Sequence, residues 1–212
     1  MDILCFTISS IFSGSYQSAV NAANMMKEKY PERRVEIIDT LQATAGMGLI
    51  VYQSYLMLKD GYTLDKNISV IEKLKHDTSI FWTVGSLAFL QNGGRIGKAT
   101  ALAGTLFNVK PIICMKEGEL FPVENVRGLK KAVKRIIELT DKEIQGQESD
   151  YLLTMFYADE RAPIMDIIIE HFSDPKYSFS DNMCRVGVTV GSHTGPQVIA
   201  IANSKKYTCY DC

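Results

Sequence analysis

No stretch of this chain is apolar over the ~20 residues that a membrane-spanning helix needs. A surplus of one charge is missing too. Its 23 Lys/Arg against 24 Asp/Glu leave a formal −1, which gives no general attraction to nucleic acid or to an anionic surface. Histidine is scarce, at three residues, so there is no His-Glu-x-x-His, and the Cys/His pairs of a structural zinc site are absent. The five cysteines are odd in number and scattered, which fits reduced thiols in a cytoplasmic protein better than a disulfide framework. Cys209 and Cys212 form a C-x-x-C but do not open a helix after a strand, as a redox pair does, and are read as incidental. Residues Ile3 to Ile8 follow Asp2 without a basic flank, so they are expected to form a buried strand and not an export signal.

The usual catalytic templates are equally thin. Gly93 to Thr100 (GGRIGKAT) departs from a phosphate loop twice: Asn92 stands at the first glycine, and Ala99 where Ser/Thr would hold magnesium. Gly46-Met47-Gly48 has Val51 in place of the third glycine of a dinucleotide fingerprint. Gly191-Ser192-His193-Thr194-Gly195 has a histidine where a nucleophile elbow has serine. The expectation is a binding protein with no catalytic residue, no metal and no cofactor beyond its ligand.

What is present is a change of pattern along the chain. Residues 2–8 and 34–39 read as strands. A helix between them carries Tyr16, Val20, Ala23 and Met26 at helical spacing and ends at Pro31. Helices follow over about 43–59, closed by Gly61, and from the N-cap Thr63 to His76. Strand–helix–strand–helix at these lengths implies a parallel sheet with crossover helices. Beyond residue 78 the pattern turns to hairpins. Residues 112–115 and 120–123 flank a Gly-containing turn, an amphipathic helix covers 129–143, and a strand covers 151–157. A helix over 163–172 and strands over 184–191 and 197–202, around a Ser-His-Thr-Gly-Pro turn, complete the chain. The fold class expected is therefore α/β: a parallel-sheet α/β unit over 1–77, then an α+β unit over 78–212 with a mainly antiparallel sheet.

Two constellations carry chemistry. Ser9, Ser10, Ser13, Gly14 and Ser15 lie between a strand and a helix, where hydroxyls and free backbone N–H groups form an anion site aided by the helix dipole. A single serine cap is the plainer alternative, but four serines exceed what one cap requires. His193, Thr194 and Gly195, followed by Pro196, form the second; imidazole and hydroxyl can donate to a carboxylate or phosphate. Nothing in the spacing links the two loops.

In order along the chain, six segments resemble the DegV family. These are Ile8-Ser9-Ser10-x-x-Ser13-Gly14-Ser15-Tyr16-Gln17-Ser18-Ala19; Ile38-Asp39-Thr40; Leu87-x-x-Leu90-x-x-Gly93-Gly94-Arg95-Ile96; Lys110-Pro111-Ile112; Val126-Arg127-Gly128-x-Lys130-Lys131-Ala132; and Gly191-x-His193-Thr194-Gly195-Pro196. The family includes the fatty-acid-binding subunit of bacterial fatty acid kinase. The resemblance implies that the serine loop and the His-Thr loop converge on the carboxylate of a long-chain fatty acid. Ser10 would be the principal donor, Ser9 or Ser13 would lie close by, and His193 would donate from the opposite side. The tail would occupy an apolar tunnel in the first unit.

It further implies a cytoplasmic protein that presents the acid to a separate kinase for acyl-phosphate formation, with Arg127 as the partner contact. Arg127 lies in a basic stretch, Arg95 to Arg135, with nine Lys/Arg against three Glu. The family's Thr-Asp-Ser strand end and Thr-Ser-Gln-Pro loop have no counterpart here. The chain therefore reads as an N-terminally truncated member, and two copies pairing into a homodimer would cover the sheet edge left open. Ile11, Ser15, Ser192 and Gln197 depart from the family's usual Gly, Thr, Pro and Gly. The competing readings are a phosphotransfer protein with His193 as acceptor, and a remnant that no longer binds lipid.

Overall fold

The structure, a computed structural model, describes residues 2–102, 108–158 and 163–210, without the side chains of 181–184. Cys212 of the C-x-x-C lies outside these residues. The first unit forms because short apolar runs alternate with helical ones. β1 (Ile3–Thr7) and β2 (Val35–Asp39) pair in parallel, from Ile3 opposite Val35 to Thr7 opposite Asp39, with α1 (Ser15–Lys29) as the crossover. Helices α2 (Thr44–Lys59) and α3 (Leu64–Leu74) follow, and Thr63 caps α3 by accepting from the Lys66 N–H at 3.3 Å. Ile38, Ile50, Met57, Val70, Ile71 and Leu74 bury one another between β2, α2 and α3.

The rest of the chain builds a six-stranded sheet: β3 (Thr78–Thr83), β4 (Val109–Lys116), β5 (Glu119–Arg127), β6 (Tyr151–Tyr157), β7 (Ser178–Arg185) and β8 (Ile199–Lys205). Its order is β5-β4-β3-β8-β6-β7, and only the β6–β7 pair is parallel. The mainly antiparallel second sheet is thus as expected. Glu117 (φ 49°) and Gly118 (φ 79°) make the tight β4–β5 turn, since two successive left-handed residues match the twist of the strands they join.

Alternation along the strands sends the two sheet faces to different partners. Ile80, Trp82, Ile113, Met115, Ala200 and Ala202 face α2, packing with Ala45 and Leu49. Phe81, Ile112, Cys114, Ile199 and Ile201 face the opposite layer, α5 (Leu129–Ile144) and α6 (Asp166–Phe172). Buried polar groups tie α2 and the loop before it to the sheet. The Gln53 amide donates to Ser204 Oγ at 2.9 Å and accepts from the Tyr207 N–H at 2.7 Å, and Gln42 donates to the Thr78 carbonyl at 2.7 Å.

Two sequence expectations need correction. Residues 184–191 do not form one strand: β7 ends at Arg185, and Val188–Thr194 is a helix, α7, with His193 in its last turn. The alternation Val186-Gly187-Val188-Thr189-Val190 mimics a strand, yet Val188 is 90% exposed, while Val190 and Thr194, four apart, turn inward together. The His-Thr turn between strands is therefore a helix end, closed by Gly195 at φ 76°. Strand β3 and the short helix α4 (Ala88–Asn92) were also not foreseen. All six β3 residues are buried, so the strand has no polar alternation to betray it.

Burial, reinforced by the field of Glu143, pushes the Cys114 thiol up to about 12. The folded state therefore holds this proton more tightly than the unfolded chain. Stability from this group is full below the unfolded thiol's value of 9.0 and is lost as pH rises from there toward 12. Iodoacetamide at mildly alkaline pH is expected to alkylate the half-buried Cys5 and Cys209 and to spare Cys114 until the protein unfolds. Peptide mass spectrometry reads the outcome, and equal labelling of all three would contradict this burial.

Candidate functional site

The carboxyl ends of β1 and β2 open into two adjoining loops, the crevice where parallel α/β sheets place ligands. Asp39 holds both loops. Its carboxylate accepts from the Ser10 N–H at 3.3 Å and from the Leu41 N–H at 3.0 Å. The Thr40 hydroxyl donates to the Thr7 carbonyl at 2.7 Å, and the Ser9 N–H to Gln42 O at 2.8 Å. The Ile38-Asp39-Thr40 segment is thus the brace of the serine loop.

The serines divide the work. Ser9 is fully buried; its hydroxyl donates to the Gly118 carbonyl at 2.8 Å, across to the β4–β5 turn, and accepts from the Ile11 N–H at 3.3 Å. Ser10 is exposed and lines no described cavity, and Gly14 and Ser15 are exposed at the start of α1. Ser13 does line the cavity. It accepts from the Ser15 N–H at 3.2 Å, which leaves its own proton free to donate.

On the far wall, α7 presents His193 against Gly93, so closely that a Cβ at Gly93 would lie 2.1 Å from Nδ1. Gly195 is wedged likewise on the Phe89 ring, 2.6 Å from where its Cβ would be. Gly93 is thereby explained, since α4 and α7 approach where its side chain is missing, whereas Gly94, with open space around it, adopts a φ of 69°. Thr194 lines the cavity, but its hydroxyl is turned to the Val190 and Gly195 carbonyls at 3.3 and 3.4 Å.

Between these walls lies a cavity of about 210 Å³, bounded mainly by Ile8, Phe12, Trp82, Leu90, Met115 and Phe156. Beside it is a wider one of about 750 Å³ between α2, β6, β7 and the start of α7; Thr44, Phe156 and Val190 belong to both walls. The space is therefore bounded by the first unit and by the six-stranded sheet, not by the first unit alone. The wider one falls in the usual size range of ligand sites, roughly 300–1,000 Å³. The charged residues on the described walls are Arg95 at one end and Arg185 at the other, with no Asp or Glu. Arg95 is anchored by Nε on the Phe12 carbonyl (3.2 Å) and by Nη1 on the Gly93 carbonyl (2.7 Å), leaving further N–H groups. His193 Nδ1 is buried with no partner among the described residues.

The structure thus brings Ser13, His193 and Thr194 to one cavity, holds Ser9 behind it, and leaves Ser10, Gly14 and Ser15 outside its lining. Arg127 is exposed at the end of β5, remote from this lining. Sequence reasoning did not single out Arg95 or Thr44 as site residues. Arg95 stood within a family segment and gave a usable signal; Thr44 gave none. Among the described residues no group of three His, Cys, Asp or Glu could hold a metal.

Comparison with known proteins gives a consistent picture. The model of the family described as "Uncharacterised protein, DegV family" matches residues 1–206. A DegV domain-containing protein of Clostridium perfringens is 31% identical over 217 residues, covering 95% of this chain and 69% of that protein. A stearic-acid-binding protein of Eubacterium ventriosum superposes with a TM-score of 0.84 at 29% identity, over 99% of this chain and 72% of its own. A fatty-acid-binding DegV family protein of Thermus thermophilus gives 0.85 at 28% identity, over 95% and 70%.

Gly93→Ala is expected to push the His193 ring from its place and cost about 1–3 kcal/mol by overpacking. Urea unfolding and the His193 ring proton resonances report the two effects. Unchanged stability with unchanged resonances would contradict the contact.

Proposed function

The chain belongs to the DegV family, and from that premise we propose that it binds a long-chain fatty acid, with the carboxylate at Ser13, His193 and Arg95 and the tail along the apolar cavity. The observation that carries this reading is the charge pattern of the described walls: Arg95 and Arg185 as the charged side chains, no carboxylate among the described lining residues, and mainly apolar side chains otherwise. Such a lining suits an anion with a long apolar body. Each buried CH₂ contributes roughly 0.8 kcal/mol before ordering costs. A carboxylate taken out of water must meet several donors or it takes up a proton instead. The relatives described as binding stearic and other fatty acids support the same ligand class.

In this reading the chain is not a catalyst. It holds the acid in reach of a separate kinase that forms the acyl phosphate, and the two units meet near residue 78. Arg127 is the partner contact, flanked by the exposed Lys130, Lys131 and Lys134, whereas Arg135 is engaged by Glu124 and Glu138 at 2.7 and 2.8 Å. A homodimer would form through the open edges of the β1–β2 sheet, and the working compartment is the cytoplasm. No helix among the described residues is long and apolar enough to cross a membrane.

Denaturing mass spectrometry with lipid extraction on freshly purified protein is expected to yield one fatty acid per chain. After delipidation, added palmitate is expected to change the fluorescence of Trp82, the single tryptophan, which lines the cavity. Ser13→Ala and His193→Ala should each weaken that binding by about tenfold or more. A protein that carries no lipid and does not respond to palmitate would overturn the reading.

A further inference from the structure

Four buried side-chain atoms lack a hydrogen-bond partner among the described residues: Gln42 Oε1, Thr44 Oγ1, Thr83 Oγ1 and His193 Nδ1. An orphaned buried polar atom is uncommon and calls for a reason. Gln42 and Thr83 line neither cavity, whereas Thr44 and His193 do. Thr44 stands out a second time, because its φ is 48°. That left-handed conformation is unfavourable for a β-branched residue, and strain of this kind collects where a ligand is held. Its place adds a third observation. Thr44 is the first residue of the 16-residue α2, whose N-cap, Ala43, offers no side-chain cap, so the helix N-terminus faces the cavity with uncapped N–H groups.

The polar groups of the inner cavity can be sorted by what they are already doing. The Thr194 hydroxyl is spent on carbonyls, and Thr189 is exposed. The groups with an open donor or acceptor are Ser13, Arg95, His193, Thr189 and Thr44; of these Thr189 and Arg95 are exposed. We propose that Thr44 is a further binding residue for the acid: its hydroxyl donates to the ligand's carboxylate from the α2 side of the cavity. This inference rests on the fatty-acid reading above and adds to it a donor that the two sequence motifs do not contain.

Thr44→Val is the direct test, because valine keeps the β-branched shape and the backbone strain and removes only the hydroxyl. Thr44→Ser keeps the hydroxyl. Binding of palmitate and of methyl palmitate to the delipidated 212-residue chain is followed through Trp82 fluorescence. The expected result is that Thr44→Val loses palmitate affinity by about tenfold or more, while Thr44→Ser stays near wild type. Affinity for the ester should be alike in all three. Thr44→Val binding palmitate as tightly as wild type, or losing acid and ester equally, overturns the assignment. Melting curves of both variants separate loss of fold from loss of binding. A wild-type chain that binds the ester but not the acid overturns this inference while leaving an apolar site standing, and one that binds neither overturns the fatty-acid reading itself.

Discussion

The serine loop is held against the six-stranded sheet by a buried hydrogen bond, from the Ser9 hydroxyl to the Gly118 carbonyl at 2.8 Å. Ser9 is 109 residues distant in sequence from its acceptor, so the bond closes a large loop of chain and sets the serine loop against the β4–β5 turn. Gly118 leaves little slack there, since a Cβ on it would lie 3.0 Å from Ser9 Oγ and 3.3 Å from both Ile11 and Leu41. With that tie in place Ser13 and Phe12 face the sheet, Arg95 reaches the Phe12 carbonyl, and a space remains between the layers in place of a collapsed core.

That space has a chemical direction. Apolar side chains make most of its walls, while the donors Ser13, His193 and Arg95 line its narrower part. Helix α7 contributes from the opposite side because Gly93 and Gly195 remove the bulk that would hold α4 and α7 apart. Two left-handed non-glycine residues, Leu41 and Thr44, fall within four positions at the entrance to α2. Local strain is thus concentrated beside the cavity, where the surrounding packing can hold it. These features suit a site for an amphiphilic acid.

Much of this was legible in the sequence, for definite physical reasons. Helical spacing announced α1 and α5, the Gly61 stop marked the end of α2, the Thr63 cap announced α3, and the Glu-Gly turn announced the β4–β5 hairpin. The motif residues Ser13, His193 and Thr194 are brought to one cavity, although nothing in their spacing linked them. Three things were hidden. Strand β3 is buried on both faces and so shows no alternation. Helix α7 begins in β-branched residues at period two, which mimic a strand, and in the structure it packs on α4. Ser9 looks like its neighbours in sequence, but its burial turns it into a strut. Thr44 was out of reach altogether, because neither a backbone angle nor an orphaned hydroxyl is a property of composition or spacing.

The most direct measurement of the central claim is a carbon-13 NMR titration of palmitate labelled at its carboxyl carbon and bound to the protein. Donors on the cavity wall favour the ionised form, so the carboxyl signal is expected to remain that of a carboxylate as pH falls through the ordinary fatty-acid range. The same signal should shift when His193 is replaced by alanine. A carboxyl that titrates as it does in free solution and ignores His193 would mean that the acid group lies outside this cavity, and the account would fail.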